Sequence, residues 1–391
     1  MRTETGSLTT PVSPEARSRR PIEEPFVKQL HGLAIADDLV WVATTTESGG
    51  LRGCPSRSEL VGVDRGSLTR VRAWSLTGAY RCALDVTTVP GVDGLVVLAR
   101  QAIGDGPDLE CTPDGGRSHR GGAWAALVVD PRTGRVQTTV ALDMPCARRV
   151  FVAPGAEPGR ALVALVDTTT IEEQSPGSAE LFEVDLVRGI ASAPLALGAA
   201  GNAQRAFDLA ALVPIDARRW LAYERVGGQV RDVLFGAFGP SSDAAQPWRV
   251  NVVGRRPPAA LVELGDGALL GLAAGNRADS GLVLAVRIGD GRYPARWYGS
   301  SRANADAVAA IDDWPRGSGA LAVATVERDG ARAATLDLVD RPSTELRLRR
   351  RPEQLRLGAG AVGPRMVIDA DGALFLALTR DARIVRVAAP R

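Results

Sequence analysis

Residues Cys82–Arg100 read CALDVTTVPGVDGLVVLAR, two short apolar runs separated by a turn. Proline, glycine and aspartate in PGVDG favour a tight turn, and the flanking runs are rich in Val and Leu, so the stretch predicts a β-hairpin. The same pattern recurs about every 50 residues, a spacing typical of repeat architectures. The copies span His31–Thr44, Cys82–Arg100, Arg148–Asp167, Ala206–Arg225, Ala259–Ala274, Asp306–Val326 and Pro364–Thr379.

A third apolar run follows each hairpin, and most units add a fourth. The third runs are Glu59–Asp64, Trp124–Asp130, Glu180–Asp185, Leu282–Ile288 and Ala334–Asp340, with weaker members at Val233–Phe238 and Ile384–Val387. Fourth runs include Val136–Leu142 and Glu345–Leu348. Four short antiparallel strands per unit of about 40–50 residues are typical of a propeller blade. The sequence therefore predicts an all-β protein, a seven-bladed β-propeller of four-stranded antiparallel blades over residues 23–391.

The two ends of the chain bear on how the ring is closed. The seventh unit supplies three strands and ends at Arg391, so its blade would expose an unpaired edge. The apolar stretch Pro25–Leu30 is expected to close it as an N-terminal strand, the alternative being an extended lead-in. Met1–Ile22 is rich in Thr, Ser, Pro, Arg and Glu without periodicity, which predicts a disordered segment.

One unit carries a more specific pattern. Asp130–Val136 reads DPRTGRV and is followed by QTTVAL. This resembles the YVTN-type repeat of bacterial seven-bladed propellers, in which an apolar strand ends in Asp and a Thr-Gly turn leads to a Val-rich outer strand. Val63–Leu68 is a looser match. The resemblance covers the repeat framework and fits the second unit best; it implies a fold and little about function, because propellers host unrelated activities.

Charge and hydropathy exclude two classes of partner. The 47 basic and 45 acidic residues give a net charge of +2, and they alternate along the chain. A nucleic-acid interface would need clustered positive charge. No stretch approaches the roughly 20 apolar residues that a membrane-spanning helix needs. We therefore expect neither nucleic-acid binding nor a membrane span.

The four cysteines occupy two equivalent pairs of positions. Cys54 and Cys111 each lie between the second and third strands of their unit, whereas Cys82 and Cys146 each open the following unit. In a four-stranded blade these two kinds of connection emerge on the same face. The pattern predicts the disulfides Cys54–Cys82 and Cys111–Cys146, while four reduced thiols remain the alternative.

Such disulfides would pin the two longest insertions, Thr45–Ser58 and Gln101–Gly122. They would also place the protein in an oxidising compartment. We therefore expect an extracytoplasmic protein, periplasmic or secreted, although no signal peptide is visible in the sequence.

Candidate ligand-binding residues recur where the first strands begin, near the expected axial mouth. His31 could face this mouth or serve as a polar group at a strand start; His119, in GGRSHRGG, is expected to be solvated. A ring of arginines would suit an anionic ligand; the alternative is Arg–Asp pairing between blades. The arginines are Arg81, Arg148, Arg205, Arg255 and Arg365.

Carboxylates lie within or beside the same strands. If they converged in the central channel, they could bind calcium, which takes oxygen ligands. The candidates are Asp85, Asp208, Glu263, Asp306 and Asp369.

The sequence favours a non-enzymatic binding or scaffold propeller with no cofactor, one that recognises a protein or glycan through ordered loops. No catalytic motif appears in a suitable context. The alternative is a propeller enzyme with an axial site, either a calcium-assisted lactonase or related hydrolase, or a lyase with His31 as its base.

Overall fold

The computed structural model contains strands and turns, and its described part contains no helix that is long and apolar enough to cross a membrane. Between residues 209 and 310 only the backbone of the strands is described. The described residues are 16–18, 29–45, 58–101, 110–111, 119–120, 122–144, 147, 149–155, 157–167, 178–197, 209–214, 219–226, 229–237, 248–251, 258–263, 269–273, 282–286, 296–299, 305–311, 313–327, 333–340, 350–359, 362–378 and 382–389.

Within the described residues, the strands form seven antiparallel sheets of four or five strands, numbered here in chain order. After β1 (Ala16–Ser18), sheet 1 contains β2 (Gln29–Ala36), β3 (Leu39–Thr45), β4 (Ser58–Asp64) and β5 (Arg70–Ser75). Sheet 2 begins with β6 (Cys82–Thr87) and β7 (Leu95–Arg100), continues past a separate hairpin of β8 (Glu110–Cys111) and β9 (His119–Arg120), and ends with β10 (Trp124–Val129) and β11 (Val136–Leu142). Sheet 3 contains β12 (Arg149–Pro154), β13 (Arg160–Asp167) and β14 (Ser178–Asp185), with β15 (Ile190–Ala191) and β16 (Leu195–Leu197) both paired to β14.

The remaining sheets follow the same order. Sheet 4 contains β17 (Leu209–Pro214), β18 (Arg219–Val226), β19 (Gln229–Ala237) and β20 (Trp248–Asn251). Sheet 5 contains β21 (Pro258–Glu263), β22 (Leu269–Ala273), β23 (Leu282–Val286) and β24 (Arg296–Gly299). Sheet 6 contains β25 (Ala305–Ile311), β26 (Ala320–Glu327), β27 (Ala333–Asp340) and β28 (Arg350–Ala359). Sheet 7 contains β29 (Val362–Ile368), β30 (Leu374–Leu378), β31 (Arg383–Val387) and, beside β31, β1.

The predicted all-β architecture of four-stranded antiparallel sheets is confirmed. Each predicted hairpin coincides with the first two strands of a sheet, and each third run coincides with a third strand. The fourth run Val136–Leu142 is β11. The predicted run Glu345–Leu348 lies outside the described residues, and the fourth strand of sheet 6 is described from Arg350 onward.

The N-terminal strand beside β31 is not the one that the sequence suggested. β1 pairs with β31 through Ala16↔Val387, Arg17↔Arg386 and Ser18↔Val385. Of the stretch Pro25–Leu30, the last two residues begin β2 instead. β1 also lies inside the segment Met1–Ile22, so the expected lack of structure does not hold for its three residues. A short outer strand needs main-chain hydrogen bonds and little apolar surface, so hydropathy does not reveal it.

The core lies between neighbouring sheets, because the central strands bury both faces. In β3, Trp41 and Ala43 pack into the cluster between sheets 1 and 2, whereas Val40 and Val42 pack into the cluster between sheets 7 and 1. Strands buried on both faces read as continuous apolar runs, as these do in the sequence. First strands contact each other between sheets 1 and 2, 2 and 3, 3 and 4, 5 and 6, and 6 and 7, and β29 of sheet 7 contacts β2 of sheet 1.

Candidate functional site

The strand order gives the molecule two different ends. In each sheet, the turns between the first and second strands and between the third and fourth lie at one end, here called the turn face. The connections between the second and third strands, and those from sheet to sheet, lie at the opposite end, here called the loop face. Two connections between second and third strands are long in the sequence: residues 46–57 join β3 to β4, and residues 101–123 join β7 to β10 and include the β8–β9 hairpin.

The turn face is bound together across the boundary between sheets 1 and 2. Arg132 donates to both carboxylate oxygens of Asp37, from Nε at 2.9 Å and from Nη2 at 3.0 Å. This hydrogen-bonded guanidinium lowers the pKa of Asp37. In return, the indole N–H of Trp74 donates to the carbonyl of Pro131 at 3.0 Å. A Cβ on Gly134 would lie 2.6 Å from the Trp74 ring, so the turn and the indole are in close contact.

Sheet 7 is joined to both of its neighbours in the same way. Arg65 of sheet 1 lies 2.6 Å from Asp38 and 3.9 Å from Asp369, the residue that follows β29. From sheet 6, the buried indole of Trp314 donates to the carbonyl of Gly372 at 2.9 Å. Through these contacts, the turns of sheets 6, 7, 1 and 2 bind one another.

A second cluster lies where the first strands of sheets 2, 3 and 7 meet. Arg365 of β29 donates to Asp85 of β6 at 2.8 Å and to the carbonyl of Val152 in β12 at 3.0 Å. The other carboxylate oxygen, Oδ1 of Asp85, is buried and accepts no hydrogen bond from any residue that the structure describes. Burial raises the pKa of Asp85, although the charge of Arg365 and the N–H of Val86 act in the opposite direction.

Gly32 of β2 packs directly against Asp85 of the neighbouring sheet. Its φ is +66°, a conformation that favours glycine. A Cβ at this position would lie 2.2 Å from the nitrogen of Val86 and 2.5 Å from Oδ1 of Asp85. The unpartnered oxygen therefore faces the glycine backbone.

His31 lies in β2, and its Nε2 is 2.9 Å from Oγ1 of Thr45 in the paired strand. Burial lowers its pKa to about 4, so the ring is neutral at pH 7. A neutral imidazole bonded to a threonine fits the structural role that the sequence left open for this residue.

Of the predicted arginine ring, two members have described side chains. Arg365 donates a hydrogen bond to Asp85, as described above. Arg81 is half-buried in the connection before β6. Arg148, Arg205 and Arg255 lie outside the described residues, so the ring itself stays a prediction.

Of the predicted carboxylate set, two members have described side chains, and they lie in different surroundings. Asp85 pairs with Arg365, whereas Asp369 accepts a hydrogen bond from the N–H of Ala373 at 2.8 Å within the β29–β30 turn. Glu263 and Asp306 lie in β21 and β25, where only the backbone is described. Asp208 is outside the described residues. Among the described residues, no group of three or more His, Cys, Asp or Glu side chains could hold a metal ion.

Two of the four cysteines lie in described strands. Cys82 opens β6, where it is fully buried and disulfide-bonded, and the side chain of its partner is not among those described. The N–H of the next residue, Ala83, donates to Oγ of Ser58 at 3.1 Å. Ser58 begins β4, four residues after Cys54. Cys111 lies in β8, while Cys54 and Cys146 are outside the described residues.

The pair of Arg365 with Asp85 is an Arg–Asp pairing between blades, which the sequence left as the alternative to an anionic-ligand site, but the sequence did not identify which residues would meet. Asp85 and Val152 lie 280 and 213 positions away in the chain, and no local pattern connects them. The turn-face pairs had a weak signal, because Asp37, Asp38 and Asp369 all occupy predicted turns.

No protein-family model and no curated protein matches the chain. Among solved structures, it is similar to one described as the structure of the Dos1 propeller, with a TM-score of 0.55. The two share 11% sequence identity over 97% of this chain and 95% of the other. Identity this low shows the fold alone: the chain is a β-propeller.

Proposed function

We propose that the protein is a non-enzymatic binding or scaffold propeller that recognises a protein or glycan partner through its loop face. The observation that carries this proposal is the difference between the two ends. Among the described residues, the turns of sheets 6, 7, 1 and 2 contact one another on the turn face, as in the Arg132–Asp37 and Trp314–Gly372 contacts. The loop face carries the longest connections, and binding residues concentrate on loops over a rigid frame.

The proposal includes seven blades in one closed ring. Seven sheets, the contact of β29 with β2, and the pairing of β1 with β31 support it. The proposed YVTN-type framework is supported by the turn after β10, in which Oδ2 of Asp130 accepts from the hydroxyl of Thr133 at 2.7 Å.

We further propose the disulfides Cys54–Cys82 and Cys111–Cys146 and an extracytoplasmic location. The hydrogen bond from Ala83 to Ser58 supports the first pair, because it brings the end of the 46–57 connection beside Cys82. Both disulfides would anchor the loops that form the proposed recognition surface.

An enzyme with an axial calcium site is the competing function. The cluster around Arg365 and Asp85 supports the binding function instead. Asp85 is one of the predicted calcium ligands, and it already forms an ion pair with Arg365. A cation bound to Asp85 would lie beside the like-charged guanidinium of Arg365, which is 2.8 Å from Oδ2.

The test replaces residues 46–57 and, separately, 102–118 with short Gly-Ser linkers in the full chain. Each variant is screened on a glycan array and in crosslinking with detergent-solubilised envelope proteins. We expect at least one replacement to reduce partner binding tenfold or more. The control Arg188→Ala alters an exposed side chain on the turn face and should bind normally.

Two results would contradict the proposal. Binding that survives both loop replacements but is lost in Arg188→Ala would place recognition on the turn face. Calcium-dependent lactone hydrolysis that Asp85→Asn abolishes would establish the axial enzyme.

A further inference from the structure

One arginine of sheet 7 lacks an acceptor for its guanidinium among the residues that the structure describes. Arg386 of β31 is half-buried and its Nε is buried, but its side chain forms no hydrogen bond and no ion pair with a described residue. Burying a charged donor without an acceptor costs free energy, and native structures rarely leave such a group unsatisfied. The guanidinium is therefore placed to bind an acceptor that the described chain does not supply.

Arg386 belongs to a row of residues that crosses sheet 7 from the apolar core to a basic edge. Its cross-strand partners are Phe375 of β30 on one side and Arg17 of β1 on the other. Phe375 is fully buried in the cluster between sheets 7 and 1, so this row faces sheet 1. The residues that flank Arg386, Val385 and Val387, belong to the cluster between sheets 6 and 7. Alternation along β31 thus places Arg386 at the outer end of the boundary between sheets 7 and 1.

The pairing of Arg386 with Arg17 sets two like charges directly opposite each other. Residues in that relation share one face of the sheet, with Cβ atoms about 4.5–5.5 Å apart, and like charges there are destabilising. The neighbouring pairs, Ala16↔Val387 and Ser18↔Val385, contribute no carboxylate. An anion bound by both arginines would replace this repulsion with two attractive interactions.

The facing side of sheet 1 adds a further arginine. Arg70 of β5 is paired with Val63, which lies in the cluster between sheets 7 and 1, so Arg70 also faces sheet 7. The carboxylate described on this side is Glu59, which accepts from Arg70 at 3.3 Å and from the hydroxyl of Ser75 at 3.2 Å. Sheet 1 itself therefore occupies both oxygens of Glu59. Among the described residues at this outer boundary, three arginines stand against one glutamate.

We propose that a tetrahedral oxyanion, the phosphate or sulfate group of a small ligand, binds between Arg386 and Arg17. A guanidinium donates two parallel hydrogen bonds to an oxyanion, and one such fork fills both oxygens of a carboxylate. Phosphate and sulfate have more oxygens and up to two negative charges, so they can serve two guanidinium groups. This site uses the outer strands of sheet 7, so it does not depend on the proposed recognition surface of the loop face.

The test titrates the full chain with inorganic phosphate by calorimetry, with sodium chloride holding the ionic strength constant. The wild-type protein is expected to bind phosphate saturably at one site. Arg386→Gln and Arg17→Gln should each weaken binding at least tenfold, because each removes one guanidinium. The matched control is Arg356→Gln, which alters an exposed arginine of β28 in sheet 6 and should bind phosphate as the wild type does.

Thermal unfolding separates a lost ligand from a damaged fold. Without phosphate, Arg17→Gln should be at least as stable as the wild type, because it removes the cross-strand repulsion. With phosphate, the melting temperatures of the wild type and of Arg356→Gln should rise, since a ligand that binds the folded chain stabilises it. Those of Arg17→Gln and Arg386→Gln should stay unchanged.

A sulfated disaccharide distinguishes the two sources of the anion. Affinity at least tenfold higher than for inorganic sulfate would assign the site to an ester group of a larger ligand, and equal affinity would assign it to the free anion. The proposal fails if the wild-type protein binds neither ion saturably, or if Arg386→Gln and Arg17→Gln bind phosphate as the wild type does. An equal loss of binding in Arg356→Gln would also overturn it, because attraction would then be general to surface arginines.

Discussion

At the scale of single residues, Gly32 fixes how the first strands of sheets 1 and 2 approach each other. Its φ of +66° and the 2.2 Å that would separate its Cβ from the nitrogen of Val86 leave no room for a side chain. We expect Gly32→Ala to lower the free energy of unfolding by about 2–4 kcal/mol, combining overpacking with a left-handed backbone.

Gly78 provides the control for this substitution. It also has a positive φ, +87°, but a Cβ there would meet no atom within 4 Å. Gly78→Ala should cost about 1 kcal/mol, the conformational part alone. Urea denaturation of both variants checks the difference, and equal losses would mean that the strands around Gly32 separate readily.

His31 gives the protein a defined dependence on pH. Its pKa is about 4 in the folded state against 6.5 for an exposed histidine, so the unfolded chain binds a proton that the folded chain does not. The free energy of unfolding is therefore highest, as far as His31 is concerned, above pH 6.5. It falls by on the order of 3 kcal/mol as the pH falls from 6.5 to 4. We expect His31→Gln to remove this loss and His119→Gln to retain it.

Proton NMR can follow the same titration directly, because the chain has two histidines. The resonance missing in His31→Gln should titrate near pH 4. A His31 resonance that titrates near 6.5 would show that the ring is solvated instead.

At the scale of secondary-structure elements, an aspartate at the end of the third strand, or directly after it, organises the turn in each of the first three sheets. Oδ1 of Asp64, Asp130 and Asp185 accepts from the main-chain N–H of Ser67, Arg132 and Arg188, at 2.6, 2.7 and 2.8 Å respectively. An aspartate that bonds its own turn fixes the outer hairpin locally. Because this turn is local, the Asp-containing repeat could be recognised in the sequence.

Removing the three-residue strand β1 should lower the stability of sheet 7 by a large amount for so short an element. Deleting residues 1–18 leaves the edge of β31 unpaired, whereas deleting residues 1–15 keeps β1 and serves as the control. We expect the longer deletion alone to lower the free energy of unfolding by about 1–4 kcal/mol, from a few main-chain hydrogen bonds.

Hydrogen exchange of the amides in Arg383–Val387 locates the effect. They should exchange faster in the longer deletion than in the shorter one. Equal exchange in both variants would show that β1 contributes nothing to sheet 7.

The hairpins were predictable because each needs continuous apolar runs and a turn, both of which are local. Cys82–Arg100 contains its two strands and its turn within one stretch. β1 was not predictable, because its three residues supply backbone pairing to a strand more than 360 positions away. The partners of Arg365 were not identifiable for the same reason: the arginine is visible in the sequence, but Asp85 and Val152 meet it only through contacts between sheets 7, 2 and 3.

At the scale of the whole molecule, the sheets whose side chains are described are joined in two ways. The apolar clusters fill the space between neighbouring sheets, and polar contacts link their turns. On the loop face, the proposed disulfides would join neighbouring sheets, as the Arg132–Asp37 pair joins sheets 1 and 2 on the turn face. The second long insertion would then be fixed between sheets 2 and 3.

The proposed pairing of Cys54 with Cys82 makes a prediction about additivity. If the two sulfurs are bonded, Cys54→Ser and Cys82→Ser each break the same bond, so either variant should lose about 2–4 kcal/mol and the double variant little more. Peptide mapping without reductant should recover the two segments as one species. Cys111→Ser should leave that species intact, whereas an additive loss in the double variant would assign the two cysteines to different bonds.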